Sequence, residues 1–245
     1  MTPNEATTTV EPQAPKKEYV QRFNVRQRIE HILLMASFTA LSLTGLIQFF
    51  YRNEFATWTV LALGGIETTR LIHRILGVIF TLGIVYHFVF LAYQAVVRRA
   101  RPTIVPNLRD FRDVVAELRN SLGMKAPRPQ FHRYDYRQKF EYIGLLFGSL
   151  VLIATGLILM FPELVASVLP GQFLAAAARF HGYEATLAVL TILIWHLYSV
   201  IFRPGMFPAD TSIFTGKISK KRMIEEHPLE YQEIVARKGQ SEAAE

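Results

Sequence analysis

Four long apolar stretches constrain the fold of this chain more than any other feature. They cover approximately residues 29–51, 70–97, 140–161 and 180–202. Each is long enough to cross a hydrocarbon core of about 30 Å, which takes about 20 apolar residues in a helix. The residues before the first stretch are polar and lack the apolar core of a signal peptide, so we expect that stretch to be retained. The sequence therefore predicts an all-α fold, an integral membrane bundle of four helices.

Positive charge is distributed unevenly among the segments that connect these stretches. Lys and Arg number 5 before the first stretch, 11 in the 98–139 loop and 7 in the C-terminal tail, against 3 in the two other loops together. Because Lys and Arg concentrate on the cytoplasmic side of membrane proteins, both termini are predicted to be cytoplasmic, in a bacterial inner membrane. Membrane topology thus accounts for the net charge of +7, and no nucleic-acid partner is predicted.

This topology divides the chain into three segments. Residues 1–26 are predicted to form a flexible cytoplasmic tail, residues 27–203 the four-helix membrane domain, and residues 204–245 a cytoplasmic C-terminal tail. Within the 98–139 loop, Asn107 stands at a helix cap and apolar residues follow it at helical spacing. We expect an amphipathic helix there, which either lies in the cytoplasmic membrane interface or packs on a partner subunit.

The chain contains no cysteine, which limits the chemistry that it can support. Disulfides, cysteine-bound iron–sulfur clusters and thioether-attached haem are excluded within this chain. Nucleotide-binding loops and hydrolase motifs are also missing from the sequence. Any redox centre in this chain must be held by His or Met, or be missing, and the chain's chemistry is expected within the membrane or in a partner, with no catalytic centre of its own.

Five of the seven histidines lie in or at the ends of the predicted spans, where ionisable side chains are uncommon and usually functional. The topology places His73 and His181 near the outer face, and His31, His87 and His196 near the cytoplasmic face. At 1.5 Å per residue the two layers are about 20 Å apart. Because imidazole is a good axial ligand of haem iron, the two layers predict two stacked b haems.

Two other interpretations of these histidines remain open. In the first, the histidines hydrogen-bond across helices in a haem-free membrane anchor or transporter helper. A proton relay would instead require Asp or Glu in the middles of the predicted spans, where we find none. The remaining two, His132 and His227, fall outside the spans and are expected to be solvated.

Two arginines flank one of the outer histidines. Arg70 and Arg74 lie on either side of His73. They are candidates to neutralise haem propionates, or they extend to lipid headgroups, as arginines at membrane interfaces do.

Four segments carry a more specific pattern: QRIEHILLMASFTALSLTGL, TRLIHRILG, RYDYRQKFEY and TGKISKKRMIEEHPLEYQEI. They resemble, in order, the first three helices and the cytoplasmic tail of the cytochrome b (gamma) subunit of respiratory formate dehydrogenases. The tail segment is the most specific, because spanning a membrane does not require that sequence. The resemblance implies two haem b groups, an outer one on His73 and His181 and an inner one on His31 and His196.

The resemblance also implies a quinone site beside the inner haem, where the chain enters the third helix. Here that segment reads RYDYRQK, so Asp135, Arg137 and Gln138 are candidates to bind an exchangeable quinone. Asp135 stands where better-known members of the family have an amide. A solvated, charged surface loop is the alternative interpretation of these three residues.

His87 departs from the formate dehydrogenase pattern. The spacings of 14 residues from His73 to His87 and 15 from His181 to His196 resemble the haem clamp of cytochromes b in bc-type complexes. His196 would then bind the inner haem with either His31 or His87.

The resemblance finally implies a role and its partners. The formate dehydrogenase arrangement passes electrons from a periplasmic iron–sulfur subunit of a molybdenum or tungsten oxidoreductase to quinone. The alternative is a quinol-oxidising cytochrome b that feeds a periplasmic multihaem cytochrome c.

Overall fold

The computed structural model describes residues 18–100 and 102–242. In chain order the helices are α1 (Val25–Phe49), α2 (Glu54–Ala62), α3 (Ile66–Val96), α4 (Leu108–Ser121), α5 (Tyr136–Met160), α6 (Pro162–Val168), α7 (Gln172–Thr191), α8 (Ser212–Thr215), α9 (Lys220–Glu226) and α10 (Pro228–Glu242). Two short strands, β1 (Tyr19–Gln21) and β2 (Lys217–Ser219), pair antiparallel. Helix α7 continues through two π-helical segments, Ile192–His196 and Tyr198–Phe202.

Four of these helices are long and apolar enough to cross a membrane: α1, α3, α5 and α7 with its π-helical continuation. α1 packs along α3 and α5 along α7, and contacts of α1 with α7 and of α3 with α5 join the two hairpins. The predicted all-α membrane bundle of four helices is confirmed, with one ribbon of two short strands added to it. The chain is a membrane protein, as predicted.

Helices α1 and α5 begin before the apolar stretches because polar side chains cap them. Asn24 accepts a hydrogen bond from the Gln27 backbone N–H at 2.9 Å, and the Gln27 side chain accepts one from the Asn24 N–H. Asp135 and Gln138 form the same reciprocal capping box at the start of α5. Each box satisfies backbone N–H groups that the first helical turn leaves without partners.

The two ends of the bundle differ in construction. The loop face carries the connections 50–65 and 161–171, which contain the short helices α2 and α6. Gly64 and Gly65 turn the chain from α2 into α3 with φ angles of +90° and +96°, which L-residues with side chains rarely adopt. The terminal face carries β1, β2 and helices α8 to α10, which fold together across the opposite ends of the long helices.

Near the chain ends, the described parts of the two predicted tails contact each other. Residues 1–17 and 243–245 of those tails lie outside the described residues. The described part of the first tail contains β1, which pairs with β2 of the second through the register Val20 to Ile218. Ion pairs reinforce this contact, because Arg22 and Arg133 both bind the buried carboxylate of Glu230. The two tails thus form one small polar cap on the terminal face.

His227 is buried in this cap, with 4% of its surface exposed, so the expectation that it is solvated is wrong. Its Nδ1–H donates to the His132 carbonyl oxygen at 2.7 Å, and Arg22 Nη2 donates to its Nε2 at 3.0 Å. Burial and the neighbouring guanidinium lower the pKa of His227 to about 4. His132 itself is half-exposed and pairs with Glu233.

We therefore expect the cap to loosen in mild acid. The ordinary pKa of His is 6.5, and that of folded His227 is about 4. Between these two pH values His227 is protonated in the unfolded chain and neutral in the folded one, so the stability of the fold decreases as the pH decreases. The loss should reach about 2 kcal/mol at pH 5. Hydrogen exchange of α9 and α10, corrected for intrinsic rates, measures it. A His227→Gln variant should lack this pH dependence, and an unchanged dependence in the variant would contradict the assignment.

The predicted helix in the 98–139 loop is confirmed as α4. Asn107 caps it in a box with Asp110, and Asp110 also binds Lys139 of α5 at 2.9 Å. The apolar face of α4 is exposed, with Phe111 and Leu108 at 70% and 80%. That exposure agrees with either a membrane interface or a partner subunit, so the position of this helix stays a prediction.

Candidate functional site

Two of the predicted ligand histidines meet in the loop-side half of the bundle. His73 on α3 and His181 on α7, here called the loop-side pair, have ring centres 6.2 Å apart and lie almost perpendicular to each other. Thr44 of α1 lies 2.9 Å from His73 Nδ1, and Thr155 of α5 lies 2.9 Å from His181 Nδ1. Four helices thus contribute one side chain each to this site.

The threonines determine which nitrogen of each ring stays free. The hydroxyl of Thr44 donates to the Ala40 carbonyl at 2.8 Å, so its oxygen accepts from His73 Nδ1–H. The hydroxyl of Thr155 donates to the Val151 carbonyl in the same way. Both rings are then held as the Nδ1–H tautomer, which leaves the lone pair of each Nε2 available to a metal ion.

A glycine follows each threonine and makes room for the histidine ring. A Cβ atom on Gly45 would lie 3.0 Å from His73 Cε1, and one on Gly156 would lie 3.3 Å from His181 Cε1. Both distances are shorter than ordinary van der Waals contact. The two Thr-Gly pairs therefore cradle the loop-side pair from both sides.

A second pair of histidines meets in the terminal-side half. His31 on α1 and His196, here called the terminal-side pair, also have ring centres 6.2 Å apart, with an angle of 33° between their planes. The Glu141 carboxylate of α5 binds His196 Nδ1. His31 Nδ1 is buried and has no hydrogen-bond partner within the described residues. A carboxylate bonded to Nδ1 is the partner that metal-bound histidines commonly have.

The π-helical segment explains the unequal spacing of the histidines. His73 and His87 are 14 residues apart on an α-helix, whereas His181 and His196 are 15 apart. The π-helical segment Ile192–His196 lies inside the longer interval and takes up the extra residue, as single-turn π insertions in α-helices do. His196 is thereby turned towards the interior of the bundle, where it meets His31.

Both pairs match the separation that one shared metal ion requires. First-row metal ions bind imidazole nitrogen at about 2.0–2.1 Å, and the ring centre lies roughly 1.15 Å beyond that nitrogen. Two imidazoles on opposite sides of one ion would therefore have ring centres about 6.4 Å apart. The observed value is 6.2 Å in both pairs. The donor set is also suitable, since neutral imidazole is a common axial ligand of haem iron.

His87 lies apart from both pairs. Its Nε2 is 2.7 Å from the Tyr142 hydroxyl, and its Nδ1 is 3.3 Å from a carboxylate oxygen of Glu30. A ligand histidine needs one nitrogen free for the metal, and here both bind protein groups. The structure thus brings His31 against His196 and holds His87 in a separate polar cluster.

The predicted propionate partners flank the loop-side pair without contacting it. Arg70 pairs with Glu67 at 2.8 Å, and both side chains are exposed. Arg74 is exposed on the same helix, next to His73. Their position agrees with either propionates or lipid headgroups as partners, so both roles stay predictions.

The predicted quinone ligands form a helix cap instead of a surface loop. Asp135 is buried, and its carboxylate accepts from the Gln138 backbone N–H at 2.8 Å, while Arg137 binds the other carboxylate oxygen at 3.3 Å. The Gln138 side-chain oxygen accepts from the Asp135 N–H at 3.1 Å. Much of the polar capacity of these three residues is therefore used to start α5.

Sequence reasoning missed the threonines and glutamates that hold the histidines. A repeat in the sequence marks them, because Glu30, Thr44 and Gly45 on α1 recur as Glu141, Thr155 and Gly156 on α5 at identical spacing. One further acidic residue lies inside a membrane helix. Glu184 lies well within the helix that begins at Gln172, where its carboxylate packs against Gly148.

A membrane bundle of four helices with two such histidine pairs inside it is the arrangement expected of a membrane cytochrome b. Residues 22–215 match the family described as prokaryotic cytochrome b561, and the chain belongs to this family. A comparison with curated proteins finds no match. The chain is therefore a b-type haem protein of the membrane that transfers electrons, and the haem-free anchor considered above is wrong.

Proposed function

We propose that the chain is the dihaem cytochrome b subunit of a respiratory complex. The loop-side pair would hold one haem b and the terminal-side pair the other. Haem iron with two histidine ligands supplies reversible one-electron transfer and leaves no coordination position for a substrate. The observation that carries the proposal is the pair of identical 6.2 Å imidazole separations.

Hydrogen-bonding residues orient histidines at both sites. Thr44 and Thr155 orient the rings of the loop-side pair, and Glu141 orients His196. His31 and His73 lie about 20 Å apart along the bundle, because His31 is 13 residues before Thr44 on α1 and Thr44 contacts His73. The two sites together therefore reach across most of a hydrocarbon core of about 30 Å.

The orientation that we propose places the terminal face in the cytoplasm. The uneven distribution of Lys and Arg supports it, because the 98–139 loop and both tails lie on that face. Electrons would then pass between a periplasmic redox partner at the loop face and the quinone pool near the cytoplasmic face. An iron–sulfur subunit, as in formate dehydrogenases, is the partner that the resemblance of the tail and the helices supports.

Haem content and the optical spectrum test the proposal directly. We expect the purified chain to carry two haems b and to show a sharp α-band on reduction, as six-coordinate imidazole haems do. A single haem per chain would contradict the dihaem assignment. Subunits that copurify with the chain identify the partner. An iron–sulfur subunit would support the formate dehydrogenase arrangement, and a multihaem cytochrome c would support the quinol-oxidising one.

A further inference from the structure

Glu30, His87 and Tyr142 form a polar cluster, here called the His87 cluster, in the terminal-side half of the membrane bundle. The residues come from three different helices, α1, α3 and α5. Both nitrogens of His87 contact the other two side chains, and the rings of His87 and Tyr142 are 5.8 Å apart. Three hydrogen-bonding side chains at this depth are costly in lipid, so the cluster needs a function that repays that cost.

The His87 cluster repeats the construction of the terminal-side pair. In the repeat between α1 and α5, Glu30 corresponds to Glu141 and His31 to Tyr142. Glu141 and His31 meet His196, while Glu30 and Tyr142 meet His87. The two sites are therefore counterparts, and the difference lies in the ring that faces the histidine, which is an imidazole in one and a phenol in the other.

This difference changes what each site can bind. A phenol hydroxyl within 2.7 Å of His87 Nε2 is a hydrogen-bond donor and acceptor. The His87 and Glu30 side chains are about one-quarter and one-fifth exposed, so neither is sealed inside the bundle. The cluster thus suits a small polar group attached to an apolar body, held by hydrogen bonds and free to exchange.

Two residues of the His87 cluster are sequence neighbours of residues at the terminal-side pair. Glu30 immediately precedes His31, and Tyr142 immediately follows Glu141, which binds His196. A molecule bound at the cluster would therefore lie beside the site that we assign to a haem. Arg26 pairs with Glu30 one helical turn closer to the terminal face, so charged side chains connect the cluster to that face.

We propose that the Tyr142 hydroxyl binds the head group of a quinone, through the hydrogen-bonding position that its bond to His87 leaves free. His87 orients this hydroxyl. Glu30 is a positioning residue, because its carboxylate orients the His87 ring. The proposal rests on the proposed function and locates its quinone site. It differs from the site implied by resemblance, whose Asp135 and Gln138 are committed to capping α5.

Binding of decylubiquinone to the full-length, haem-loaded chain in nanodiscs tests this location. We expect Tyr142→Phe and His87→Gln each to raise the dissociation constant about tenfold, the effect of losing one useful hydrogen bond in a site with little water. Tyr86→Phe is the matched control, because Tyr86 precedes His87 on α3 and is half-exposed. Its dissociation constant should equal that of the unchanged chain.

Haem content, measured on the same samples, separates failure of this inference from failure of the proposed function. Weaker binding in both variants with unchanged haem content supports the site. Unchanged binding in both variants overturns the proposed site. Binding that is weaker in Asp135→Asn but unchanged in Tyr142→Phe and His87→Gln also overturns it. A haem-loaded chain that does not bind decylubiquinone also overturns it while leaving the dihaem assignment intact. Loss of haem in His87→Gln would show that His87 is an iron ligand, and the inference would be wrong.

Discussion

His31→Leu should reduce the haem content of the purified chain from two haems to about one, whereas His87→Leu should leave two. The terminal-side pair joins His31 to His196 at a separation that fits one iron, and His31 Nδ1 has no hydrogen-bond partner among the described residues. His87, in contrast, has both nitrogens bound to Glu30 and Tyr142. Removing an axial ligand opens the coordination of that iron and weakens its retention.

The measurement is haem per chain, determined together with the reduced spectrum. His132→Leu serves as a matched control, because His132 is half-exposed outside the membrane helices and should leave the content unchanged. The opposite result, with haem lost in His87→Leu and kept in His31→Leu, would restore the clamp of His87 and His196 and refute our assignment. The two substitutions therefore decide between the alternatives that the spacing of 14 and 15 residues leaves open.

Depth along the helices could be predicted from the sequence, whereas pairing within a layer could not. A rise of 1.5 Å per residue places His31, His87 and His196 at one level whatever the arrangement of the helices. Which two of the three meet depends on how α1, α3 and α7 are packed and on the π-helical segment before His196. Neither property follows from hydrophobic periodicity, which reports only the buried side of a helix.

Polar residues at helix starts show a second limit of sequence reasoning. The resemblance makes Asp135 and Gln138 candidate quinone ligands, and an Asp followed three residues later by Gln also matches a capping box. The two roles demand the same residue types, so composition alone does not separate them. His227 illustrates the related case of long-range burial, because a tail that folds back across the bundle gives no local signal.

Thr44→Val should weaken haem binding at the loop-side pair about 10- to 100-fold, the usual effect of removing the hydrogen-bond partner of a metal-bound histidine. Valine keeps the shape of threonine but cannot accept from His73 Nδ1–H. The ring then loses both its fixed tautomer and its orientation. Thr155→Val should act in the same way through His181. Haem transfer from the chain to excess apomyoglobin measures the change.

Thr81→Val is the matched control, since the Thr81 hydroxyl donates to the Gly77 carbonyl on the same helix and contacts neither histidine pair. Thr44→Ser should recover most of the affinity, because serine returns the oxygen that accepts from His73. Only one of the two haems should become labile in each valine variant, since the terminal-side pair relies on Glu141 instead. Equal loosening of both haems, or loosening in Thr81→Val as well, would mean that the threonines act through helix packing and not through the imidazoles.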